Sequence, residues 1–233
     1  MPGQGFSRRR LLQTSAALAA ATGLAGCSGD GESGNGGDGS GEGNSGTTVQ
    51  DLCSRFPGGF VAYDVGAVPT ICDFDIPAVL EGNSSSGDLP GDNGWGIGSD
   101  GANGSRIGVA VGINLNEDAV TDEPGEPRGE PAVADVEFGS ETVTLYSFER
   151  ANISSETDEI YKLNGHLPYT VGDTKLYFPV NISSNARAGA DESIPEDCRA
   201  SVMEVAHRVG KSLRVNEETT VEAHLEQRWD DPP

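Results

Sequence analysis

The sequence predicts an α+β domain, mostly antiparallel sheet, with one main helix over residues 194–215 followed by a final strand. Three observations carry this. Apolar and polar residues alternate over 71–76 and 107–113, the period of a strand with one face covered. Two pairs of strand-like runs are joined by Gly139-Ser140 and Gly172-Asp173, dipeptides that close hairpins. One later stretch changes to helical spacing.

Taken in order, Gly59-Phe60-Val61-Ala62-Tyr63 is a short apolar strand. In the next, Cys72, Phe74 and Ile76 share one face, Asp73 and Asp75 the other, and Pro77 stops it. Ile107, Val109, Val111 and Ile113 alternate with Gly108, Ala110 and Gly112, a strand with one face closely covered. Ala134–Phe138 and Glu141–Phe148 form a hairpin whose Gly139 suits a type II′ turn. Tyr169–Val171 and Thr174–Val180 form another. The helix has Ser193 as cap and Glu196 three residues on, a capping box. Ile194, Cys198, Val202, Val205, Ala206, Val209 and Leu213 make its buried stripe, with Glu204 and Arg208 paired on the wet side. After Asn216, Val221, Ala223, Leu225 and Trp229 alternate with polar residues, which reads as the final strand. Residues 81–105 and 117–131, rich in Gly and Pro, read as long surface loops.

Charge narrows the partners. The 233 residues hold 37 Asp+Glu against 15 Lys+Arg, net −22. Nucleic acid is excluded as a partner, because phosphate binding needs clustered cations. Docking on anionic lipid through a basic patch fails for the same reason.

The N-terminus reads as an address. Ser7-Arg8-Arg9-Arg10-Leu11-Leu12 precedes a 16-residue weakly apolar run, Leu11 to Gly26, too short for a comfortable membrane span. It ends in Leu24-Ala25-Gly26-Cys27. The first motif resembles a twin-arginine export signal, with Arg8 and Arg9 as the pair. The second resembles a lipobox, whose Cys27 becomes the lipid-bearing first residue. The resemblance implies removal of residues 1–26, a membrane anchor through lipid on Cys27, and export of an already folded chain. Residues 27–46 then form the lipidated Cys and a Gly/Ser/acidic tether. Nine of the 19 residues from Ser28 to Gly46 are Gly, with no apolar side chain, so the tether is expected to be disordered and to reach roughly 24 Å. Residues 47–233 are expected to be one globular domain.

Without the leader the chain carries −25, and the domain alone −21. Such self-repulsion opposes a compact state, except in molar salt, where the Debye length is about 3 Å. Excess acid, only three Lys and this signal together resemble surface lipoproteins of halophilic archaea.

With Cys27 taken by lipid, Cys53, Cys72 and Cys198 leave three pairings open in an oxidising compartment. Cys53–Cys72 closes the shortest loop and is the candidate bridge, worth roughly 3 kcal/mol. Cys198 then stays a buried thiol on the helix stripe. Asn83, Asn103, Asn152 and Asn181 each begin an N-x-S sequon, placed in loops or at strand ends and hence candidates for glycosylation.

The chemistry-bearing motifs are sparse. Gly96-Ile97-Gly98-Ser99-Asp100-Gly101 spells a dinucleotide fingerprint but lacks the preceding strand and following helix, so it reads as a Gly-rich loop. Cys198, Met203 and His207 stand in the wrong order for the blue-copper site of a halocyanin. No HExxH, CxxC or G-x-S-x-G occurs. Asn114-x-Asn116-x-Asp118 offers alternate oxygens, but Ala119 replaces the Gly that a calcium loop needs, so it reads as a solvated acidic loop. No metal or cofactor is expected. The function expected is a lipid-anchored surface domain, on the outer face of the cytoplasmic membrane, that binds a ligand or an envelope partner without catalysis. The alternative is an exported hydrolase whose site gathers distant polar residues such as His224 and Arg228. The charge reading predicts a melting temperature that rises steeply between dilute buffer and molar KCl; equal melts in both would contradict it.

Overall fold

The computed structural model describes residues 46–89, 92–230 and 232–233. The leader, Arg8, Arg9, Cys27 and nearly all of the tether lie outside them. The fold starts at Thr48, whose hydroxyl accepts from the Asp51 amide at 3.2 Å while the Asp51 carboxylate accepts from the Thr48 amide. This capping box opens α1 (Val49–Arg55). The chain then forms β1 (Phe60–Tyr63) and β2 (Cys72–Pro77), an antiparallel pair. Cys72, Phe74 and Ile76 are buried, and Asp73 and Asp75 half-buried, as their alternation predicts.

A large antiparallel sheet follows: β3 (Ser84–Leu89), β4 (Asp92–Asp100), β5 (Arg106–Asn114), β6 (Glu130–Phe138), β7 (Glu141–Ser147), β8 (Ile153–Ser154), β9 (Asp158–Val171) and β10 (Thr174–Arg187). Their order is β3-β4-β5-β10-β9-β7-β6, with β8 beside β9. Both expected hairpins form. Gly139 (φ +61°) and Gly172 (φ +57°) take the left-handed turn positions. Then come α2 (Glu196–Lys211), the two-residue strand β11 (Arg214–Val215) and α3 (Val221–Arg228). β11 pairs with β2, completing a small sheet β1-β2-β11.

The architecture is therefore α+β with mostly antiparallel sheet, and a strand does follow the main helix. Several expected details change. Residues 81–105 are largely strand: β4 pairs along its whole length with β5, Gly94 opposite Gly112 and Gly98 opposite Gly108. Glycines face glycines there, so the backbones meet with no side chains to fill the gap, and low strand propensity is overridden by the neighbours. The fingerprint glycines lie in that strand, not a loop. The main helix starts at Glu196, with Pro195 rather than Ser193 at its cap. The Ile194 amide is drawn to the Glu156 carbonyl at 2.7 Å, which holds the chain extended before the helix. Val221, Leu225 and Trp229 belong to or follow α3. Their spacing of four satisfies a helix as well as a strand, and Val221 and Leu225 are fully buried on one side of it.

α2 lies on the inner face of the large sheet. Its buried stripe of Cys198, Val202, Val205, Ala206 and Val209 joins one core with Leu145, Leu163, Phe178 and Ile182 of the strands. Gly210 marks the closest approach: a Cβ there would come within 2.8 Å of the Leu145 side chain. Below it, Ser212 accepts from the Asp75 amide at 2.8 Å, and Arg214 pairs with the Asp75 carboxylate at 2.8 Å. Buried Asn216 donates to the Gly66 and Thr70 carbonyls and accepts from the Glu218 amide. Trp229 closes the C-terminus, its indole N–H donating to the Leu115 carbonyl at 2.9 Å.

The disulfide is Cys53–Cys198, with Cα atoms 5.1 Å apart, and Cys72 is the buried free thiol. The expected Cys53–Cys72 pair is thus corrected. α1 joins the hairpin at Phe60, opposite Pro77, whereas Cys72 sits at the far end of β2, about 17 Å along an extended strand. Packing of α1 on α2 brings Cys198 to Cys53 instead. Closing 145 residues is worth about 5 kcal/mol by loop entropy, more than the short loop would give. Denatured, unreduced Cys27→Ser protein is predicted to show one titratable thiol, and Cys198→Ser to lose about 2–5 kcal/mol of unfolding free energy. Three thiols, or an unchanged Cys198→Ser stability, would refute the bridge.

Candidate functional site

The outer face of the large sheet is crossed by a strap, residues 115–129, that carries the chain from β5 to the far edge strand β6. It leaves β5 through an Asn114 turn, in which the Asn114 carboxamide accepts from the Asn116 amide at 2.9 Å. This is what the alternating Asn114, Asn116 and Asp118 do: Asn114 caps a turn. Thr121 and Tyr177 then exchange backbone hydrogen bonds of 3.3 and 2.8 Å beyond the end of β5. Pro124 and Pro127 stiffen the crossing. Asn164 on β9 donates to both the Arg128 carbonyl (3.3 Å) and the Tyr146 carbonyl (3.0 Å), tying the strap down.

Beneath the strap is a cleft of about 330 Å³, within the range that small ligands fill. The strap supplies Pro124, Gly125, Glu126 and Pro127; β7 supplies Thr142, Thr144 and Tyr146; β9 and β10 supply Asn164, His166, Pro168 and Tyr177. Period two along each strand puts these side chains on the outer face. Gly125 rests on the His166 ring so closely that a Cβ would stand 2.6 Å from two ring atoms. Lys175 lies 5.2 Å from the Tyr177 ring centre and binds Glu141 at 2.7 Å, so one rim of the cleft is already neutralised.

Two other concavities differ in chemistry. A trough of about 550 Å³ at the β2–β11 end is lined by Asp64, Asp73, Glu137, Glu217 and Glu218 around Arg214. Three of its members are engaged: Asp73 accepts from the Val65 amide, Asp64 from the Gly66 amide, and Arg214 holds Asp75. A shallower dent of about 230 Å³ lies on the outer face over Ala110, Gly112, Lys162, Asn181 and Ser183.

The sequence-predicted residues are not gathered into one site. The histidines are apart: His166 in the cleft, His207 on α2 against Tyr161 (3.1 Å), and His224 on α3 one turn from Arg228. His224 and Arg228 line none of these concavities. Among the described residues no group of His, Cys, Asp or Glu is placed to hold a metal ion, and no helix is long and apolar enough to cross a membrane. Burial pushes the Cys72 thiol up to about 12, so it is not a nucleophile. Asn83 and Asn103 are exposed, Asn152 is half-buried, and Asn181 is exposed at mid-strand in β10, not at the strand end expected, because β10 runs on to Arg187. The cleft escaped sequence reasoning because its walls come from three strands and a segment read as loop. The alternation of Thr142, Thr144 and Tyr146 was the available signal.

No family model matches the chain, and comparison with curated proteins and with solved structures finds no match.

All three imidazoles are held below their ordinary 6.5, by burial first and then by a neighbouring cation: Arg128 for His166, Lys211 for His207, Arg228 for His224. The unfolded chain therefore binds more protons between the folded and unfolded values. This stability is present above about pH 6.5 and is lost as pH falls through the folded values. Unfolding free energy in constant molar salt is predicted to decline from pH 7 to 5, and to decline less in His207→Gln. An identical slope in that variant would contradict the assignment.

Proposed function

We propose that the chain is a lipid-anchored, extracytoplasmic surface protein whose domain binds a small, neutral, hydroxyl-rich ligand under the strap. The observation that carries this is the cleft itself: two tyrosines and a proline offer flat apolar surface, with Thr142, Thr144 and His166 beside them as hydrogen-bonding groups. That mixture suits a sugar-like compound, which needs an apolar platform for its C–H face and polar partners for its hydroxyls. An anion would enter against the field of a domain carrying −21. A cation would find carboxylates everywhere and no reason to choose this cleft.

Binding is favoured over hydrolysis because, among the described residues, no hydrogen bond joins the His166 ring to a hydroxyl, the pairing that an activated nucleophile requires. Anchoring through Cys27 and export by the twin-arginine route follow from the N-terminal motifs. Titration of the purified protein in molar KCl with neutral hexoses and disaccharides, followed by tyrosine resonances, is expected to show saturable binding that Tyr177→Ala and His166→Ala each abolish. Cys27→Ser is expected to move the protein from the membrane fraction to the medium. Turnover of a chromogenic ester or glycoside that is lost in His166→Ala would sink the binding reading.

A further inference from the structure

The four sequons meet four different local structures, and those structures sort them. In N-glycosylation the carboxamide nitrogen attacks the anomeric carbon of a lipid-phosphate-linked oligosaccharide. A C–N bond forms, the C–O bond to phosphate breaks, the lipid phosphate leaves and the amide gives up a proton. The transferase must therefore reach the Asn carboxamide and hold the hydroxyl two residues on, which demands a tripeptide that can be freed without breaking the core.

Three sequons lack that freedom. Asn103 is exposed, but the hydroxyl that follows it, on Ser105, is fully buried and donates to the Ala102 carbonyl, with Glu192 3.3 Å away. Asn152 has its carboxamide spent at both ends: it donates to the Ser147 hydroxyl at 3.1 Å and accepts from the Lys162 amide at 2.8 Å. Asn181 presents an exposed side chain, yet its strand is paired on both sides, to Gly112 and to Asn164, and Ile182 between it and Ser183 is 1% exposed. Freeing that tripeptide means breaking the middle of the large sheet.

Asn83 differs in how little holds it. It is exposed, its backbone amide donates to the Leu80 carbonyl at 3.1 Å, and the Ser84 and Ser85 that follow open β3, paired with Ile97 and Gly96 of β4 on one side and with no strand on the other among the described residues. An edge strand can be lifted at its start without disturbing the core. We infer that Asn83 is the position at which the folded domain accepts an N-linked oligosaccharide, and that Asn103, Asn152 and Asn181 are shielded by their own structure. The inference rests on the proposed export of an already folded chain. It has a consequence for ligand binding: a bare Asn181 leaves the outer face beside the strap open.

The test is glycopeptide mass spectrometry of the full chain, exported from a host whose own surface proteins are N-glycosylated. With the native signal, Asn83 is expected to carry glycan, the other three sequons to be bare, and Asn83→Gln to lose all glycan mass. A signal that sends the chain out unfolded is expected to add glycan at Asn152 or Asn181. A bare Asn83, or glycan on Asn181 with the native signal, overturns the inference. An Arg8→Lys/Arg9→Lys variant then says which premise failed. If it blocks export, the folded route operates and the shielding argument was wrong; if export continues, the export reading was wrong.

Discussion

The seal of α2 against the inner face of the large sheet is the contact on which the rest depends. A sheet with Leu145, Leu163, Phe178 and Ile182 on one side must have that side covered, and the stripe on α2 meets it. The helix is held from three directions. Cys198 ties its first turn to α1. Arg208 reaches the Pro57 and Gly58 carbonyls at 2.6 and 3.0 Å with its guanidinium 3.8 Å from the Phe60 ring centre. Ser212 and Arg214 fasten its end to β2. With one face so committed, the outer face is left for the strap and its cleft.

The charge of the domain is not absorbed by pairing. Among the described residues six ion pairs join basic residues to acids, and most of the partners are well exposed, where each contributes little. The remaining carboxylates stay in solvent, as in the trough around Arg214. Cohesion therefore comes from the apolar core and the long β9–β10 hairpin, while the surface acids oppose it to a degree that the ionic strength sets.

Strands with clean alternation and helices with clean stripes were legible: β2, β5, the two hairpins and α2. The failures share a cause, which is that local sequence was asked for information held elsewhere. Gly94, Gly96 and Gly98 have no strand preference of their own, and pairing with β5 along their whole strand, and with β3 on the other side, makes a strand there. Val221, Leu225 and Trp229 repeat every four residues, a spacing compatible with both periods over so short a segment. The bridge partner of Cys53 depended on how α1 folds back onto α2, which no spacing along the chain reveals. The cleft was illegible for the same reason.

The bridge also decides how the molecule meets force. Cys53 and Cys198 close a covalent ring that contains β1 through β10, with residues 1–52 and the last 35 residues outside it. Tension applied to the chain at Thr47 passes through α1 and across the sulfur–sulfur bond into α2. The intervening strands cannot be drawn out in line while that bond holds.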